Sequence, residues 1–223
     1  LTIQYEQYYR HARLSKPGHP DLVFNERLRF AKIARHIPEN GRILDLGCGA
    51  GDLGKYCGLD PARLVGVDLS EEKLKQTGYH RTAVASAERL PFEPGSFDVI
   101  VASEVLEHVA DPASVVKEVR RVAAPAGRLI VSVPFEEEPV EVECPHCLTP
   151  FFLSGHVNYF DRDRMKELLA LFNPHVRLFV VNNIVTRYLN RHLGLPFHML
   201  SALDLPLSAV LTRSSKYLIG VAG

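Results

Sequence analysis

The apolar run Ile43-Leu44-Asp45-Leu46 breaks into Gly47-Cys48-Gly49-Ala50-Gly51, and this transition constrains the fold more than any other stretch. So short an apolar run suits a strand buried on both faces, while closely spaced glycines permit a sharp turn and close approach of another molecule to the backbone. A second run of this kind, residues 63–67, ends at Asp68-Leu69-Ser70. Ser70 can cap a helix whose first turn carries Glu71 and Glu72, the charge a helix N-terminus favours.

The rest of the chain keeps alternating. Helices are predicted over residues 21–37, capped by Asp21 and stopped before Pro38, from Asp111-Pro112 to Pro125-Ala126-Gly127, and over residues 161–172. In the second, Val115, Val116, Val119 and Val122 share a face; in the third, Met165, Leu168, Leu169 and Phe172 do. Strands are predicted at residues 82–85, 97–102, 129–133, 176–181 and 216–222. Such alternation implies an α/β fold, with an open parallel sheet covered on both faces and ligands bound at the carboxyl ends of its strands. The 223 residues suffice for one domain. Residues 134–160 and 182–215 exceed ordinary connections, and loops of that length are usually functional or carry structure of their own.

Charge narrows the partners. The 26 basic and 26 acidic residues cancel, so no global field draws in nucleic acid or an anionic membrane, and no basic aromatic strip tracks a phosphate backbone. Four scattered cysteines, Cys48, Cys57, Cys144 and Cys147, fit a reducing cytoplasm. Residues 1–13 lack the pattern of a signal peptide. The most apolar stretch, residues 193–211, is interrupted by Pro196, His198, Asp204 and Pro206, which argues against a membrane span.

A glycine loop followed by an acid at the end of the next strand is a nucleoside site, because a carboxylate there accepts from both ribose hydroxyls. Residues 49–54 formally match the dinucleotide pattern G-x-G-x-x-G. Asp45 weighs against that match: a carboxylate there repels a pyrophosphate and suits a cationic amino-acid headgroup. The run from Ile43 to Gly51 resembles motif I of the class I S-adenosylmethionine-dependent methyltransferases. Residues 64–70, 85–92, 95–100 and 104–109 are similar to successive motifs of their small-molecule branch, type 11.

This resemblance implies a three-layer Rossmann-like domain over residues 1–223, with a seven-stranded, mostly parallel sheet whose last strand is antiparallel. It implies S-adenosylmethionine as cofactor, S-adenosylhomocysteine as product, and a small-molecule acceptor methylated at oxygen, nitrogen or carbon. Gly47 and Gly49 would pass beneath the methionine moiety beside Asp45, Asp68 would hold the ribose, and Leu69 would lie against adenine. Ser86 stands where related sequences carry an Asp that accepts from the adenine amino group, so Ser86, Ala87 and Glu88 are the expected adenine contacts. An NAD(P)-dependent oxidoreductase and a cofactor-binding module without turnover remain as other readings.

His108, after the fourth strand, and His156 are the candidates for removing an acceptor proton; each could instead tie down a loop. Ser103 and Glu104 end the fourth strand, facing the methionine or the acceptor, or simply capping and meeting solvent. Cys144-Pro145-His146-Cys147 supplies half a zinc site with no second C-x-x-C; His146 and His156 or a second chain could contribute, but a reduced cysteine pair is the safer reading and no metal is expected. Tyr5, Tyr8 and Tyr9, within an N-terminal segment of residues 1–40, could form a lid. The apolar side chains from Phe197 to Leu207 could be core, wall an acceptor pocket, meet a second copy in a homodimer, or rest on a membrane surface.

Overall fold

The computed structural model describes residues 20–137, 141–143, 150–152, 155–182, 196–200, 202 and 215–223. The N-terminal tyrosines, the paired cysteines Cys144 and Cys147, and most of residues 182–215 lie outside them. Helix α1 (Pro20–Ala34) leads into β1 (Ile43–Leu46), α2 (Asp52–Cys57), β2 (Leu64–Asp68), the single turn α3 (Glu71–Leu74) and β3 (Arg81–Val84). Then come β4 (Phe97–Ser103), α4 (Pro112–Val122) and β5 (Ala123–Pro134). A small hairpin of β6 (Glu141–Glu143) and β7 (Pro150–Phe152) precedes α5 (Arg162–Ala170), β8 (Val176–Asn182) and β9 (Ser215–Ala222).

Seven strands form one sheet in the order β3-β2-β1-β4-β5-β9-β8. β1 to β5 pair in parallel, and β9 inserts antiparallel between β5 and β8. This is the three-layer, mostly parallel sheet with an antiparallel last strand that the sequence implied. Alternating side chains take opposite faces, as the two-residue period of a strand requires. Ile43, Val99 and Val101 pack with Phe24, Leu28 and Ile33 of α1, whereas Leu44, Leu46, Ile100 and Ala102 pack with the valines of α4 and with Met165 and Leu169 of α5.

The predicted boundaries hold where caps are chemical. The side chains of Ser70, Asp111 and Asp161 each accept from backbone amides of the helices they open. The first helix stops at Ala34 rather than residue 37. Pro125-Ala126-Gly127 does not separate helix from strand: β5 already pairs at Ala123 with Phe97, residues 124–127 bulge outward, and pairing resumes at Arg128 opposite Val99. A bulge of this kind absorbs the extra residues without losing the ladder. The hairpin of β6 and β7 was not anticipated, because three-residue strands carry too little periodicity to read.

Of the apolar segment near the C-terminus, Leu200 is fully buried and Phe197 meets Phe24 edge to face. This part is core. Leu169 seals the opposite face, seated where Gly220 of β9 has no side chain: a Cβ there would lie 2.3 Å from Leu169 Cδ1. Leu169→Ala should therefore cost about 2–5 kcal/mol, the usual range for a buried leucine. Urea unfolding measures this, and a loss under about 1 kcal/mol would place Leu169 outside the cooperative core.

Candidate functional site

The carboxyl ends of β1, β2 and β4 open into a cavity of about 910 Å³. Its floor is the glycine loop. Gly47 and Cys48 both donate their amides to Val67 O, at 2.7 and 3.0 Å, which pins the loop to β2. Gly47 has φ +69°, and a Cβ there would strike Val105 at 2.5 Å; Gly49 has φ +52°, yet a Cβ there would meet nothing within 4 Å. The first glycine is required by packing and by its dihedral, whereas the second leaves a backbone edge bare beside the cavity.

Asp68 links this loop to the next strand. Its Oδ2 accepts from the Gly49 amide and its Oδ1 from the Ser70 amide, each at 2.9 Å, and Asp68, Leu69 and Ser70 all line the cavity. Ser86, Ala87 and Glu88 line it as well. Ser86 Oγ accepts from the Glu88 amide at 3.3 Å, so its hydroxyl closes its own turn. Ser103 also lines the cavity, sharing a 2.9 Å hydroxyl hydrogen bond with Ser132.

Asp45 lies in β1, next to the glycine loop. It borders the cavity but is only 3% exposed, and its Oδ2 accepts from the Tyr79 hydroxyl at 2.7 Å. Burial pushes its pKa up to about 7 against the lowering effect of that hydrogen bond. Tyr79 also accepts from the Gly54 amide at 2.9 Å, tying β1 to α2; nothing in its sequence context marks it.

Across the cavity, Glu104 has φ +56°, unusual for a residue with a side chain. Its Oε1 lies 3.1 Å from Arg29 Nη1, in charge contact but off the hydrogen-bond direction. Arg29 also pairs with Glu26, which accepts from Tyr217 Oη at 3.2 Å. Burial opposes the charge on Arg29, and Glu104 and Glu26 outweigh it, so its pKa is raised. Burial lifts Glu104 to about 7 despite Arg29. Arg29 and Phe30 line the cavity, and their signal in the sequence was weak, since a helical Arg is ordinarily a surface charge.

The two histidines come together. Their rings stand 4.7 Å apart, but only His108 lines the cavity. Its Nδ1 lies 3.3 Å from Gly155 O, and burial, with His156 beside it, pushes its pKa down to about 4. His156 Nδ1 is bonded to Glu137. The segment carrying His156 is clamped: the amides of Val157 and Asn158 donate to Glu107 O at 2.8 and 3.0 Å, and Asn158 Nδ2 donates to Val109 O at 2.6 Å. Val157 and Phe152 thereby join the cavity wall.

A doubly covered parallel sheet with a glycine loop and a strand-end acid at its carboxyl edge defines a nucleoside-cofactor domain of Rossmann type. Residues 44–131 match the family model described as a methyltransferase domain. These residues, with the glycine loop and the strand-end acid among them, are similar to that family. The chain is 38% identical over 100 residues to the ubiquinone biosynthesis O-methyltransferase of Bordetella pertussis, covering 41% of this chain and 42% of that protein. It is 35% identical over 135 residues to the chloroplastic tocopherol O-methyltransferase of Arabidopsis thaliana, covering 53% of this chain and 39% of that one. The chain thus spans about two fifths of the length of these curated relatives. The 1,6-didemethyltoxoflavin-N1-methyltransferase of Burkholderia thailandensis, solved with S-adenosylhomocysteine, shares the fold at TM-score 0.59 and 17% identity, over 99% of this chain and 85% of that one. No helix among the described residues is long and apolar enough to cross a membrane.

The raised pKa of Asp45 fixes a sign for stability. A carboxyl whose folded pKa exceeds its unfolded value of about 3.9 holds its proton longer in the folded state. Stability therefore falls as pH rises from about 4 to about 7. Asp45→Asn keeps an acceptor for Tyr79 and cannot ionise, so it should flatten that slope and stabilise the protein above pH 7 by an amount on the order of 1–4 kcal/mol. Urea unfolding at pH 5 and pH 8 tests this; equal slopes in both proteins would show Asp45 ionised throughout.

Proposed function

We propose that this chain transfers a methyl group from S-adenosylmethionine to a small-molecule acceptor. The observation that carries the reading is the Asp68 carboxylate at the cavity wall, holding Gly49 and Ser70 amides beside a backbone edge at Gly49 that a side chain would fill. The residues present fit the cofactor. Asp68 would take the ribose hydroxyls on its remaining lone pairs, Leu69 and residues 86–88 would border adenine, and Gly47 and Gly49 would run beneath the methionine moiety. With the Ser86 hydroxyl turned to its own loop, backbone groups of residues 86–88 are the better adenine partners. The cofactor supplies an electrophilic methyl on a sulfonium.

What the chain itself contributes is alignment and exclusion of water, the main requirements of an in-line displacement. Ser103, Glu104 and His108 stand on the acceptor side, with His156 behind His108. His108 is neutral near pH 7, the form that accepts a proton or ligates a metal. Within the single domain proposed here, the insertion at residues 134–160 would help to build the acceptor pocket. Phe152 and Val157 on the cavity wall support that. The named O-methyltransferase relatives favour oxygen as the acceptor atom.

Calorimetric titration with S-adenosylmethionine and S-adenosylhomocysteine tests the reading, with a reduced nicotinamide dinucleotide as counter-ligand. We expect saturable binding of the first two, and Asp68→Ala should weaken it at least about 100-fold, since charge-assisted hydrogen bonds contribute roughly 1.5–3 kcal/mol each. Dinucleotide binding without binding of either sulfur compound would overturn the assignment. Binding without turnover across hydroxyl, amine and carbon acceptors would favour a module that keeps the cofactor but does no chemistry.

A further inference from the structure

Glu107 is a buried acid with no visible reason for its place. It is 1% exposed, and among the described residues neither carboxyl oxygen has a hydrogen-bond partner. The Nε2 of the neighbouring His108 stands 3.9 Å from its Oε1, beyond hydrogen-bond reach. A buried carboxylate without compensation is strongly unfavourable, so such groups are paired, protonated or bound to metal. Ligand atoms of Glu107, His108 and His156 all lie within 4.8 Å of one another.

Two features distinguish this cluster from a chance gathering of polar groups. Glu137 holds Nδ1 of His156, the carboxylate–histidine arrangement that orients a ligating imidazole toward a metal. With Nδ1 so engaged, Nε2 is the atom that would ligate. The backbone carrying the three residues is also fixed in advance, because Glu107 O receives the Val157 and Asn158 amides and Asn158 reaches back to Val109 O. Ordering the site then requires only side-chain rotation.

We propose that Glu107, His108 and His156 bind a divalent transition-metal ion of the zinc type at the margin of the cavity, with Glu137 as the positioning residue for His156. Two imidazoles and one carboxylate form the donor set of three-ligand zinc sites, which keep a coordination position for another molecule. Bonds of about 2.0–2.2 Å require the cluster to draw in modestly from its present span. Because His108 lines the cavity, an ion here borders the acceptor space. Binding of the metal stands apart from the methyl-transfer reading, whereas a role for it toward an oxygen-bearing acceptor rests on that reading.

Cobalt(II), a spectroscopic stand-in for zinc, is titrated into the full chain, zinc is then used to displace it, and S-adenosylhomocysteine binding is measured on the same samples. We expect one equivalent of cobalt, with visible ligand-field bands and without thiolate charge transfer. Glu107→Gln and His156→Ala should each weaken binding at least tenfold. Glu137→Gln should weaken it about 10–100-fold, the usual effect of removing the carboxylate behind a ligating histidine, and Cys144→Ser with Cys147→Ser should leave it unchanged. Absence of cobalt and zinc binding by a chain that binds S-adenosylhomocysteine would overturn the site, with Glu107 simply protonated, and leave the proposed function standing. Thiolate charge-transfer bands lost only in the cysteine variant would overturn it in favour of the Cys144/Cys147 pair. Metal binding without S-adenosylhomocysteine binding would uphold the site and count against the function.

Discussion

The Asp68 carboxylate locks together two backbone segments that the pairing of β1 with β2 brings side by side. By accepting from Gly49 on one side and Ser70 on the other, it holds the glycine loop of β1 against the end of β2 and also fixes the entry to α3. Hydrogen bonds to a charged acceptor are stronger than neutral ones, so a single side chain holds both segments at the cavity wall. The two amides that Val67 O receives from Gly47 and Cys48 close the same joint from below. Everything the cavity presents, from the bare edge at Gly49 to the buried Asp45 beneath it, depends on that joint.

The opposite wall is built from charge rather than from apolar packing. Arg29, Glu26, Glu104 and Tyr217 link α1, the end of β4 and β9 into one half-buried network around the buried guanidinium, and aromatic rings of Phe30 and Tyr217 lie against that guanidinium. Buried ion pairs contribute little net stability but are costly to leave half made. They therefore specify geometry more than they add to stability. Glu104, held at positive φ between Arg29 and the cavity, is the residue that this geometry positions.

How much of this was legible depended on whether a feature was local. The strands, the caps at Ser70, Asp111 and Asp161, and the pairing of a glycine loop with a strand-end acid are properties of adjacent residues, and they were read with errors of a few positions. The bulge in β5 was missed because Pro125-Ala126-Gly127 looks locally like a helix stop, and only pairing to β4 shows that the strand resumes around it. The partner of Asp45 is invisible in the sequence because no local rule reveals Tyr79, 34 residues away, donating to it. Glu107 and Glu137 gave no signal at all, since their significance lies in what the fold brings beside them.

The sequence by itself therefore determined the class of fold, the position of the glycine loop and the acid that partners it, because hydrophobic period, turn chemistry and capping act within a few residues of one another. Tertiary structure alone decided which charges are buried and what they face. It raised Asp45, paired Arg29 with Glu104, and closed His108 and His156 to within 4.7 Å from segments 48 residues apart in sequence. The reason is physical: desolvation and charge–charge contact depend on distance in space, and a linear pattern does not encode that until the sheet has placed its strand ends side by side.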